Sequence, residues 1–180
     1  MRRRSTRLGL LTVLGLARRG FFIPYRYAHT LPFPGRNHSY EPLEAVMTSA
    51  TERFSALLVQ IDRLEADLAA LGNEAPPAPR WTQDWFPTLD AAVAYTMVRV
   101  QQPKRIVEVG SGHSTRFMKR AAQDGGLDTH ITAIDARPNR FVDQLDIEFL
   151  RSPMSQVDGQ IFSTIRPGDI LFIDSSGPSS

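Results

Sequence analysis

Apolar residues recur at Leu43, Met47, Ala50, Phe54, Leu57, Ile61, Leu64, Leu68 and Leu71, with spacings alternating between four and three. That rhythm predicts one amphipathic helix over 43–71, with Pro42 in its first turn and Gly72-Asn73 as its stop. Its 29 residues would span roughly 43 Å. A sustained 3.5-residue repeat argues for a coiled coil. Val46 and Leu58, however, stand where charges would set the pairing, and Arg53 and Gln60 find no partners. The wider apolar stripe suits a helical layer, including a homodimer formed through residues 43–71. A second amphipathic helix is predicted from Thr88 to Gln101, with Leu89, Ala92, Val93, Met97 and Val100 facing a sheet.

Past Pro103 the pattern changes. Short apolar runs at Ile106–Val109, Ile131–Ile134, Ile147–Leu150 and Ile170–Ile173 alternate with helical stretches that begin at Arg116 and at Gln160. Strand and helix in alternation predict an α/β fold, an open, doubly wound, mostly parallel sheet. The last run is apolar on both faces, as a strand covered on both sides should be. Ligands of such sheets lie outside the carboxyl ends of the strands. The stretch Ile106-Val107-Glu108-Val109-Gly110-Ser111-Gly112-His113-Ser114-Thr115 is therefore where a small molecule should sit. Gly110 and Gly112 leave room for a ligand to approach the backbone.

The neighbouring residues narrow the ligand. A phosphate-binding P-loop needs a Lys-Ser/Thr pair after its glycines, and none follows. A dinucleotide fold wants a third Gly or Ala, and Thr115 stands there. Asp135 ends the second strand, where an acid suits the two hydroxyls of a ribose. The residues offer an adenosine-type pocket without a pyrophosphate grip.

Glu108-Val109-Gly110-Ser111-Gly112, Asp135 and the apolar strand ending in Asp174 together resemble the class I S-adenosylmethionine-dependent methyltransferases. The resemblance runs from about Trp81 to Gly177. It implies a Rossmann-like sheet of seven strands in the order 3-2-1-4-5-7-6, of which these residues supply the first four. The expectation is an incomplete fold, a fragment inactive by itself with its fourth strand left at an edge. It implies S-adenosylmethionine as cofactor, held by Glu108, Gly110, Ser111, Gly112, Asp135 and Ala136, with Glu108 toward the ammonium end and Asp135 on the ribose. The Arg151-Ser152-Pro153-Met154 turn would edge the adenine. Asp174 becomes the catalytic candidate, toward a hydroxyl of a small molecule or sugar. In metal-dependent relatives an acid at this place ligates magnesium, but one carboxylate is not a magnesium site, so no metal ligand is assigned. An NAD-type dinucleotide enzyme and a non-catalytic scaffold with a degenerate pocket are the alternatives.

Composition adds organisation. The 180 residues contain no cysteine, which excludes disulfides, thiolate metal sites and a cysteine nucleophile. The net charge of +2 hides an asymmetry: residues 1–40 hold eight Arg and no acid, while the rest has 13 bases against 19 acids, net −6. Residues 1–40 read as a basic, aromatic arm, 41–72 as the long helix, 73–80 as a proline-rich linker and 81–180 as the methyltransferase part. The apolar run Leu8–Ala17 is too short to span a bilayer and lacks a small-x-small cleavage site. Residues 1–20 suit a helix packed on the domain, an anionic membrane surface, or a secretory signal. The rings and prolines of 21–40 form an irregular arm that either packs on the long helix or covers the substrate pocket. The location read from this is cytoplasmic, membrane-surface associated if the arm binds lipid, with no nucleic-acid partner. Trp81 and Trp85 suit core packing or a cap on the ligand. His113 reads as an exposed loop residue, and His29, His38 and His130 show no ligand spacing.

Overall fold

The computed structural model describes residues 2–16, 40–83, 85–138 and 141–174. The chain forms two compact units, Met1–Ser49 and Ala50–Ser180. The first contains α1 (Arg2–Val13) and α2 (Glu41–Ser49). Gly15, with φ of 69°, lets the chain leave α1, where Gly15 and Leu16 donate to the carbonyls of Thr12 and Leu11. The arm at 21–40 lies, but for Tyr40, outside the described residues. No described helix is long and apolar enough to cross a membrane.

The second unit runs α3 (Thr51–Arg63), α4 (Glu65–Ala70), α5 (Thr88–Gln101), β1 (Arg105–Val109), α6 (His113–Asp124), β2 (His130–Ile134), β3 (Glu148–Leu150), α7 (Gln160–Ser163) and β4 (Ile170–Ile173). The four strands form one parallel sheet in the order β3-β2-β1-β4, consistent with an incomplete Rossmann-like fold. In register, Glu108 stands beside Ala133 and Phe172, and Val109 beside Ile134 and Ile173. The carboxyl ends of β1, β2 and β4 therefore finish side by side.

Alternation along β1 separates two cores. Ile106 and Ile131 pack with Tyr95, Val98, Phe117 and Met118 under α5 and α6. Val107, Val109 and Ile134 pack with Leu150, Val157, Ile161 and Phe162 toward α7. Phe117 is the aromatic centre of the first core. Its ring meets Trp81 at 4.9 Å and Phe86 at 6.2 Å, and Phe86 lies edge-on to Phe172 at 6.1 Å. Trp81 also donates its indole N–H to the Leu68 carbonyl, so it is a core residue, whereas Trp85 is 75% exposed.

Two expectations change. The single helix over 43–71 is divided into α2, α3 and α4. At Leu64 (φ −98°, ψ 14°) the amide bonds the Ile61 carbonyl as well as that of Gln60, tightening the turn. Leu68 and Leu71 beyond it are buried, while Phe54 and Leu58 before it stay exposed. The second change is the face of α5. Leu89 and Val100 are 58% and 50% exposed, while Ala92 is buried and Val93 and Met97 are half-buried toward β4 as expected; Ala91, Ala94, Tyr95 and Val98 are buried as well. The reason is that α5 packs beside α6 and α3, where alanines permit close approach. Tyr95 donates to Asp124 at 2.7 Å and accepts from Arg99, whose guanidinium also reaches Asp67 at 2.7 Å. Burial and Asp124 together push the Tyr95 hydroxyl pKa well up.

The proline stretch 73–80 is fixed on α6. Arg116, 4% exposed, donates from Nε to the Pro77 carbonyl at 2.7 Å and from Nη2 to the Ala78 carbonyl. Phe117→Ala should remove the ring that both neighbours share, costing about 3–5 kcal/mol in urea unfolding.

Candidate functional site

The site is built where β1 breaks into α6. Gly110 adopts φ of 90°, a conformation that an L side chain strains, and its amide bonds the Ile134 carbonyl at 2.9 Å. Gly112 precedes the helix in an extended φ of 172°, and a Cβ built there would meet nothing within 4 Å. Its amide donates to Thr115 Oγ1 at 2.9 Å, which caps the first turn from inside. The amides of both glycines are thus taken up by the protein itself.

Glu108 lies beneath that first turn with no solvent exposure. Ser114 donates to its Oε1 at 2.5 Å, and its Oε2 has no hydrogen-bond partner. Burial pushes its pKa up to about 7. The Ser114 and Thr115 hydroxyls oppose that rise, and the charges of Asp174 and Asp135 add to it. Asp135, just past β2, is held at both oxygens: Ser111 Oγ donates to Oδ2 at 2.6 Å and the Arg137 amide to Oδ1 at 2.8 Å. Ala136 sits exposed inside that turn. Asp174 is exposed just past β4, and its amide donates to the Val109 carbonyl at 2.9 Å. The fold therefore brings Glu108, Gly110, Ser111, Gly112, Asp135, Ala136 and Asp174 to one edge of the sheet.

His113 departs from the expected loop residue: it opens α6 and is half-buried. Burial, followed by Arg116 and Arg80, lowers its pKa and favours the neutral ring. Sequence reading missed Ser114 and Arg116. The one signal for Ser114 was its place in the first turn after the glycines. No three His, Cys, Asp or Glu among the described residues are grouped to hold a metal ion.

Two concavities flank this edge. A groove of about 560 Å³ runs between α5 and β4, lined by Trp85, Leu89, Val93, Met97 and Leu171 and reaching Asp174. A second, of about 410 Å³, lies past β3, between Leu150, Arg151 and Ser152 on one side and Gln156, Asp158 and Ile161 on the other.

The chain matches no family model, no curated protein and no solved structure.

Two measurements probe the site without a ligand. Gly110→Ala should cost about 1–2 kcal/mol in thermal unfolding, because the left-handed backbone rejects a side chain; Gly112→Ala should cost less. Glu108 gives a pH signature. Its folded pKa of about 7 exceeds the ordinary 4.5, so the folded state holds the proton more tightly than the unfolded one. The stability this contributes is complete below pH 4.5 and is lost as pH rises through 7. Urea unfolding at pH 5 and pH 8 should show wild type losing about 2–3 kcal/mol more than Glu108→Gln over that interval.

Proposed function

We propose that the protein transfers methyl groups from S-adenosylmethionine to a hydroxyl of a small molecule or sugar. The observation that carries this reading is the internal use of the Gly110 and Gly112 amides beside two acids at neighbouring strand ends. A phosphate-bearing ligand wants free backbone amides at a helix start. Here the glycines withhold theirs, and the edge offers Glu108 and Asp135 instead. That chemistry favours a ligand with cationic groups and a ribose over a dinucleotide.

The residues fit S-adenosylmethionine on two counts drawn from this chain. Glu108 Oε2 is buried without a partner, ready for a positively charged group. The space beside Gly112 stays open where a Cβ would intrude. Asp135, steadied by Ser111 and the Arg137 amide, keeps lone pairs for ribose hydroxyls. Bound there, S-adenosylmethionine supplies a methyl group already activated on a sulfonium. What remains for the protein is orientation, which can supply about 7–11 kcal/mol of a barrier. The groove that reaches Asp174 is where the acceptor lies, with the Asp174 carboxylate taking the hydroxyl proton. Exposed Phe54 and Leu58 on α3 support a homodimer surface, and exposed Leu10, Leu14 and Leu16 support contact of residues 1–20 with a membrane surface, in a cytoplasmic protein.

Isothermal titration with S-adenosylmethionine and with NAD tests the reading directly. Asp135→Ala should weaken S-adenosylmethionine binding by about 1.5–3 kcal/mol, the worth of a hydrogen bond to a charged group. Binding of NAD alone would replace the reading with a dinucleotide enzyme. An unchanged affinity in Asp135→Ala would remove that residue from the site.

A further inference from the structure

Among the described residues, two buried side-chain oxygens lack a hydrogen-bond partner: Thr96 Oγ1 and Glu108 Oε2. The first belongs to a neutral hydroxyl on α5. The second belongs to a carboxyl at the ligand edge of the sheet, where an unpaired charge is far more costly. The groups around it decide its state. From β2 and β4, Asp135 and Asp174 oppose a further negative charge. From α6, the Ser114 and Thr115 hydroxyls favour one. The nearby cations are engaged elsewhere or weakened. Arg116 gives its guanidinium to the carbonyls of Pro77 and Ala78, Arg80 is exposed, and the His113 ring is driven toward its neutral form. No cation of the chain bonds Glu108 among the described contacts.

We propose that Glu108 exchanges a proton for its ligand: protonated when the site is empty, it releases that proton to solvent when a cationic group seats against Oε2. The exchange balances simply. The carboxyl O–H bond breaks, the proton passes to the buffer, and the ligand keeps its charge while the carboxylate gains one. No covalent bond forms to the ligand. This inference rests on the reading of S-adenosylmethionine as ligand, which carries two candidate cations, the sulfonium and the α-ammonium. It goes beyond that reading in making affinity depend on pH and on ligand charge. A neutral ligand of the same shape leaves the acid protonated and gains nothing from it. Between pH 5.5 and 7 the affinity of a cationic ligand should rise about tenfold, since the fraction of Glu108 that must first lose its proton falls across that interval.

The test is isothermal titration of the full chain at pH 6 in two buffers of different ionisation enthalpy. S-adenosylmethionine and S-adenosylhomocysteine serve as probes. Close to one proton should be released per ligand bound, and Glu108→Gln should release none. Ser114→Ala, which removes a hydrogen bond that favours the carboxylate, should move the midpoint of release to higher pH. This second variant carries the test if Glu108→Gln fails to fold. Infrared spectra of the ligand-free protein should show a protonated carboxyl band that binding bleaches. Release with both probes assigns the seated cation to the ammonium, and release with S-adenosylmethionine alone assigns it to the sulfonium. Binding without proton release, or release that persists in Glu108→Gln, overturns the exchange and leaves the methyltransferase reading standing. Failure of both probes to bind overturns the two together.

Discussion

A carboxyl group removed wholly from water must be compensated by its surroundings, and the end of the sheet is arranged around the one at Glu108. Strand alternation places it on the same face as Ile106, which points it beneath α6 rather than toward α7. Ser114 answers one of its oxygens, which fixes the rotation at which α6 begins. Thr115 then closes the first turn on the Gly112 amide, and Gly110 turns the chain back to the Ile134 carbonyl. Each of these contacts draws β1, β2 and α6 together at one point. The acids past β2 and β4 arrive there as a consequence of parallel register, not as separate additions.

Arg116 plays the complementary part on the far side of the helix. A guanidinium this deeply buried is ordinarily matched by a carboxylate, yet its partners are two backbone carbonyls of the proline stretch and, at 3.4 Å, His113 Nδ1. Burial and Arg80 lower its pKa. The planar fork suits two adjacent carbonyls in a way that a lysine ammonium cannot reproduce. The same bonds hold residues 77 and 78 against α6, and Trp81 beyond them against Phe117.

Much of this was legible in the sequence, because the signals concerned are local. Runs such as Ile106–Val109 and Ile131–Ile134 cannot be helices of useful length, and glycines directly after an acid mark a strand breaking into a turn. Parallel order followed from the alternation of strands with helices. The break at Leu64 was not legible, since it trades one regular bond pattern for burial of Leu68 and Leu71, a choice made only by tertiary contact. The face of α5 failed for a related reason. Leu89 and Val100 look like core positions by size, but the helix packs between α3 and α6 through Tyr95, Val98 and the small Ala91 and Ala94, a choice that only the neighbouring helices make. Within the site, acids and glycines could be read from spacing. The Ser114 hydroxyl and the buried Arg116 could not, because both look like the ordinary polar face of an amphipathic helix.

The strand β4 has a bearing on how the molecule behaves in a crowd. Among the described residues it stands at the margin of the sheet, with Leu171 and Ile173 45% and 66% exposed on one face. Its neighbour β1 satisfies one side of its backbone, and no described strand pairs with the other. Such a margin is indifferent to the identity of what it meets: any extended apolar segment can add to it by backbone bonds alone. Such an addition would take place on the strand directly beside β1, where Phe172 is the register partner of the buried Glu108.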